Sequence, residues 1–139
     1  LPQVGLLANW THQLDTYLEE SDGTRRSLPQ QADDMFNLAL SYESVKLGFS
    51  GRISYQFVSD IFTELGDNSE EWDDAQNYLD ISLRQNLNKY VRLFVKGKNL
   101  LGTDDISRLR SLRMDYSGNP IYNQFYRGVE VYGGFEFSL

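Results

Sequence analysis

The chain has no cysteine, so a disulfide framework, a thiolate nucleophile and a cysteine-ligated metal are all closed to it, while its redox compartment stays undetermined. Histidine occurs once, at His12, and reads as an ordinary loop or strand residue. Neither an HExxH metal motif nor a glycine-rich phosphate loop ending in GK[ST] is present. Carboxylates and serines are numerous, yet no spacing sets a nucleophile beside an oriented base. Thirteen basic residues face 20 acidic ones, for a net charge of -7, and no long basic cluster offsets it. That balance argues against nucleic acid as a partner. No run approaches the roughly 20 apolar residues of a membrane-spanning helix, and no basic segment followed by a long apolar core opens the chain. A membrane barrel stays open, because strands of about 10 alternating residues read weakly on a hydropathy scale.

The acids that are present sit mainly in polar connections. Asp33 and Asp34, Asp73 and Asp74, and Asp104 and Asp105 are adjacent pairs, and solvent is their default environment. The stretch GDNSEEWDD, residues 66–74, lacks the full ligand pattern of a calcium loop. It reads as a solvated connection anchored by Trp72. Neither a catalytic centre, a metal nor a cofactor is expected, so the chain is read as a non-enzyme.

Alternation is what the sequence does contain. In KYVRLFVKGK, Val91, Leu93 and Val95 alternate with Arg92, Phe94 and Lys96, the period of an antiparallel strand with one apolar and one polar face. The terminal VEVYGGFEFSL repeats the pattern. Six strands are predicted, at about 4–14, 35–45, 49–62, 75–85, 90–98 and 129–139. Gly48 marks one tight hairpin and residues 85–89 another. Long polar excursions separate the remaining pairs, the first carrying Ser21, Asp22, Gly23 and Pro29. VSDIFTEL and ISRLRSLR allow short helical alternatives. Asp80 and Arg92 are candidates for a cross-strand ion pair, subject to register. Nine Tyr, eight Phe and two Trp would serve either the rim of a soluble core or the boundary of a membrane.

The blocks FNLALSYES with LGFSGRISYQF, YLDISLRQNLNKYVRLFVKGKNLLG, and YRGVEVYGGFEF resemble, in order and spacing, the C-terminal part of a bacterial TonB-dependent outer-membrane receptor. The pair Asn99 and Leu100 closes the penultimate strand as in that family, whereas Ser138 and Leu139 follow Phe137 where many members end on an aromatic residue. The resemblance implies an all-β fold, an antiparallel transmembrane β-barrel segment of about six strands from a larger barrel. The plug domain, its energy-coupling TonB box and most barrel strands would lie outside 1–139. A chain starting at Leu1 fits either a processed protein or an internal piece.

The same resemblance implies residue roles. Lipid would meet Phe36, Leu38, Leu40, Ile53, Tyr55, Phe57, Leu79, Ile81, Leu83, Val91, Leu93, Val95, Val129, Val131, Phe135 and Phe137. The lumen, and with it a ligand or the plug, would meet Asn37, Ser41, Arg52, Ser54, Asp80, Arg84, Arg92, Lys96 and Glu136. Short turns near Gly48 and Asn88 would face the periplasm, and the long excursions the exterior. Expected partners are the rest of the receptor, the TonB energy-transducing complex, outer-membrane lipid and an unidentified small ligand. Two other readings remain: a soluble antiparallel binding domain with its aromatic strands in a core, and a small independent outer-membrane barrel.

Overall fold

The structure is a computed structural model that describes residues 1–14, 17–19, 23, 25–66, 69–111, 118 and 120–138. Among these there are thirteen strands and no helix: β1 (Gln3–His12), β2 (Tyr17–Glu19), β3 (Arg25–Ser27), β4 (Gln31–Ala32), β5 (Asp34–Ser44), β6 (Phe49–Val58), β7 (Ile61–Leu65), β8 (Ser69–Asp73), β9 (Gln76–Asn86), β10 (Val91–Lys98), β11 (Asp105–Ser111), β12 (Ile121–Phe125) and β13 (Glu130–Phe137). The chain is therefore all-β, and every pairing is antiparallel.

Six long strands form the main sheet in the order β1-β5-β6-β9-β10-β13. They are the six that alternation predicts, each beginning and ending within a few residues of expectation. Each strand lies beside its predecessor among the six, an up-and-down meander, and the sheet does not close on itself: β1 and β13 stand at its two ends. The tight connections arise from local chemistry. Gly48 takes a φ of 62°, open to glycine at little steric cost, and its N–H donates to the Val45 carbonyl at 3.2 Å. At the other hairpin the Asn88 side-chain oxygen accepts from the N–H groups of Tyr90 at 2.8 Å and Val91 at 2.9 Å, a turn built by its own side chain.

The long excursions hold more structure than their polarity indicates. A second sheet has the order β12-β11-β8-β7-β4. Each of its strands prolongs a strand of the main sheet: β4 runs into β5, β6 into β7, β8 into β9, β10 into β11 and β12 into β13. The order β13-β10-β9-β6-β5 is thus repeated one storey further out. The expected strand 49–62 is split at Ser59 and Asp60, VSDIFTEL contributes β7 rather than a helical turn, and residues 69–73 of the expected polar loop form β8. Residues 106–111 of ISRLRSLR lie in β11 rather than in a helix. The ladders explain these outcomes, since each segment gains strand partners on the extension. A separate pair, β2 and β3, occupies the first excursion. Ser21, Asp22, Leu112, Arg113 and Leu139 lie outside the described residues.

Little of this surface is core. The buried hydrophobic residues among those described are Ala32, Ala39 and Phe62. Phe62 packs 5.5 Å from the Trp72 ring, so the main enclosed cluster belongs to the second sheet. On the main sheet Val4, Leu6, Trp10, Phe135 and Phe137 are all more than half exposed.

Candidate functional site

Register decides which side chains share a face, because directly paired residues project to the same side. One row runs Leu6, Leu40, Ile53, Ile81, Gly97, Val131. Its neighbours carry Ala8, Leu38, Tyr55 and Leu79 on one side, and Val4, Tyr42, Gly51, Leu83, Val95 and Gly133 on the other. Beyond them lie Trp10, Phe36 and Phe57 at one end, and Leu93, Phe135, Val91 and Phe137 at the other. Fifteen of the sixteen residues expected to meet lipid fall on this face. The remaining one, Val129, lies just before β13.

The nine polar candidates share the opposite face. Their rows are Asn9, Asn37, Gln56 and Tyr78; Leu7, Ala39, Ser54 and Asp80; Gly5, Ser41, Arg52, Ser82, Lys96 and Tyr132; Gln3, Glu43, Ser50, Arg84, Phe94 and Gly134; and Asn86, Arg92 and Glu136. Asn37 donates to Asn9 at 2.9 Å, and the Ser41 hydroxyl donates to the Gly5 carbonyl at 3.3 Å. Arg92 is held by Glu136 at 3.2 Å and by Asn86 at 2.8 Å. The expected pairing of Asp80 with Arg92 is not formed. Arg92 stands opposite Asn86, six residues along β9 from Asp80 and therefore roughly 20 Å away along the strand. Asp80 instead accepts the backbone N–H of Asn99 at 2.9 Å. Lys96 lies 5.8 Å from the centre of the Tyr132 ring. Arg52 and Arg84 have neither a hydrogen bond nor an ion pair among the described residues.

Two further groups carry structure that alternation alone did not expose. Asn99 is buried, with a φ of 50°. Its amide nitrogen donates to the carbonyls of Thr103 and Gly128, each at 2.9 Å, and its side-chain oxygen accepts from the Thr103 N–H at 3.0 Å. The start and end of the last excursion are thereby tied together. Gly97, two residues earlier, leaves room for this fold-back, as a Cβ there would stand 2.8 Å from Leu100.

The second group is a belt of carboxylate contacts, three of them ion pairs with arginine, where the two sheets join. His12 contacts Asp34 at 2.9 Å, Arg110 contacts Asp60 at 3.1 Å, and Arg108 contacts Asp74 and Arg127 contacts Asp105, both at 2.7 Å. The Arg110 guanidinium also lies 4.1 Å from the Trp72 ring. Thus five of the six paired acids read as solvated are engaged, Asp34, Asp74 and Asp105 by these partners, Asp73 by the Ser107 hydroxyl at 2.6 Å and Asp104 by the Gln124 amide at 3.4 Å. Their partners come from distant strands, which the sequence pattern cannot reveal.

Within β8, burial holds the Glu71 carboxyl above the usual carboxylate range, with the charges of Glu64 and Asp73 adding to the effect. A raised native pKa means that the folded protein retains its proton to higher pH than the unfolded chain does. The second sheet should therefore gain stability as pH falls through the raised value and lose it again above. Glu71→Gln should flatten that dependence, read as amide-exchange protection of β7, β8 and β11 at neutral and mildly acidic pH. An unchanged pH dependence in the variant would remove Glu71 as its source.

The arrangement defines a class, an open antiparallel wall with one apolar and one polar face. No family model, curated protein or solved structure matches the chain. Among the described residues no group of three or more His, Cys, Asp or Glu side chains converges.

Proposed function

We propose that this chain forms six adjoining strands of a barrel wall in a bacterial outer membrane, as part of a TonB-coupled receptor that captures and imports a scarce extracellular ligand. The apolar face meets lipid, the polar face lines the lumen, and the second sheet extends the wall outward where ligand arrives. The plug and the remaining strands belong to the same receptor, and energy reaches the plug from the TonB complex.

The observation that carries this reading is the slant of the apolar band. On β1 the band runs from Val4 to Trp10, and on β13 from Val131 to Phe137, the same six residue steps. The ladders place Val131 in the row of Leu6, four residues below Trp10, and place Phe137 four residues below the row of Val4. Both boundaries thus drop together across the sheet. Four residues correspond to about 13 Å, against about 24 Å for five inter-strand steps, a slope near 30°. A hydrocarbon slab bounded by two parallel planes requires such a slant of any tilted strand, and barrel strands tilt by about 35–45°. A surface covered by another protein layer carries no such requirement.

The test follows the native product in isolated membranes on unheated and boiled gels, using an antibody against residues 129–139. A membrane-bound product several times the size of this chain, changing mobility on boiling, is expected. A product of this chain's size found wholly in the soluble fraction would sink the receptor and favour a soluble binding domain.

A further inference from the structure

We infer that the depression at the outer end of the polar face, between β9 and the end of the last excursion, binds a neutral oligosaccharide that stacks on Phe125 and Tyr126 and hydrogen-bonds to Gln56, Lys98 and Glu130. The inference deepens the receptor reading by giving its ligand a chemical class, and it rests on that reading for the route by which the ligand arrives.

The depression has a volume of about 630 Å³, inside the roughly 300–1,000 Å³ range of small-molecule sites. It opens beside Tyr78 on β9 and reaches Tyr126 and Gly128 beyond β12. The segment that follows the aromatic pair is tied down. Arg127 is held by Asp105 at 2.7 Å, and the Gly128 carbonyl accepts from the Asn99 amide at 2.9 Å. Phe125 pairs directly with Asp105, and the Tyr78 hydroxyl donates to that same carboxylate at 3.2 Å. Phe125 therefore projects to the polar side. It is 65% exposed and Tyr126 is 73% exposed, so two adjacent aromatic residues stand open at a wall of mainly polar side chains.

The ionic groups here cancel. Lys98 and Arg127 stand against Asp80 and Glu130, and two of the four are already engaged, Arg127 by Asp105 and Asp80 by the Asn99 N–H at 2.9 Å. An ion finds no excess charge of either sign. What is left is hydrogen-bonding capacity of both kinds. Lys98 and Glu130 are directly opposite in the ladder, yet neither they nor the Gln56 side chain make a hydrogen bond or ion pair among the described residues. Lys98 offers donors, Glu130 offers acceptors and Gln56 offers both. A sugar hydroxyl donates once and accepts twice, so neighbouring hydroxyls can accept from Lys98 and donate to Glu130 while the C–H face of the ring lies on an aromatic face. A flat aromatic solute would use the rings and leave Lys98 and Glu130 unanswered.

The site continues down the wall. A second depression, of about 350 Å³, shares Gln56, Tyr78 and Asp80 and carries Asn9 and Asn37. Asn37 donates to Asn9 at 2.9 Å, which leaves the Asn37 carbonyl oxygen and the Asn9 amide N–H groups without a partner among the described residues. These amides extend the track of donors and acceptors beyond the length of one ring, which is why the ligand is an oligosaccharide.

The experiment uses the complete receptor purified from outer membranes in detergent. The probes are neutral oligosaccharides of glucose, mannose, galactose and xylose, screened on a glycan array and then titrated by calorimetry at low and high salt, with a mixed pool of short peptides alongside. Saturable binding of at least one sugar series is expected, unchanged by salt because no net charge is matched. Phe125→Ala and Glu130→Gln should each weaken it about tenfold or more. Phe125→Tyr keeps the ring and should retain most of the affinity, and Lys46→Gln at the remote turn should retain all of it. Gel mobility before and after boiling verifies that each variant is folded. A receptor that binds peptides but no sugar, or neither, overturns the inference. So does sugar binding that falls steeply with salt, or equal affinity in Phe125→Ala, Glu130→Gln and the unmodified receptor. Heat-dependent mobility of the unmodified protein is scored separately: a protein that shifts on boiling but binds no sugar loses the site alone, and one that does not shift loses the barrel reading.

Discussion

Ile53→Arg should destabilise the wall by about 2–4 kcal/mol when the receptor is refolded into lipid vesicles, the range for a cation near the middle of a lipid-facing strand. Ile53 lies centrally in the apolar band, between Leu40 and Ile81 in its row, and it is 40% exposed. In water a substitution at so open a site would cost within about 0.5 kcal/mol. The size of the loss therefore reports which medium meets this face. Ser54→Arg is the matched control, one residue along β6 and on the other face. Its cost should be far smaller if this face lines a water-filled lumen, where charge is solvated. Urea titrations in vesicles, followed by tryptophan fluorescence, would measure both. Equal losses from the two variants would remove the assignment of the faces.

The second large effect should come from Asn99→Ala, at about 3 kcal/mol. The substitution deletes three hydrogen bonds at a buried position and leaves the Thr103 and Gly128 carbonyls and the Thr103 N–H without those partners. Each unsatisfied buried group costs about 1–3 kcal/mol, moderated where water reaches it. Alanine is also disfavoured at the φ of 50° that Asn99 adopts. Asn99→Gly separates the two contributions, relieving the backbone while still losing the side-chain bonds. It should recover part of the loss only. Asn99→Asp retains an acceptor for Thr103 but turns a second oxygen toward two carbonyls, and should be at least as damaging as alanine. Full recovery in the glycine variant would show that the hydrogen bonds contribute nothing. The readout is the urea midpoint of the receptor in vesicles.

The main sheet was legible because its code is local. A strand with different media on its two faces must alternate with period two, and FNLALSYES, RISYQF and YLDISLR do so in plain view. Residue parity then assigned Arg52 and Ile53, or Leu79 and Asp80, to opposite faces before any register was known. The extension was illegible for the converse reason. In β8, Glu70, Glu71, Trp72 and Asp73 are all half-buried, so neither face is apolar and no period emerges. In β11, Ile106 and Leu109 are three residues apart, a spacing that also fits one face of a helix, yet the segment pairs with β8 and β12. Pairing across long sequence separations overrode the local pattern. The pairing expected between Asp80 and Arg92 failed through register, which the Asn88 turn sets and composition does not. Asn99 stood out in sequence only as half of an Asn-Leu pair. Its role depends on Gly128, at the far end of a long excursion.

The open ends of the main sheet impose a rule of parity. Six strands in an antiparallel meander leave β1 and β13 running in opposite directions, with β1 starting and β13 finishing at the rim that carries the short turns. A closed, wholly antiparallel circuit through them can be completed only by an even number of added strands. Those strands must also enter and leave at that rim, however large the finished circumference. The topology of any arc that would close the sheet is thereby limited to even solutions, whatever its amino-acid sequence.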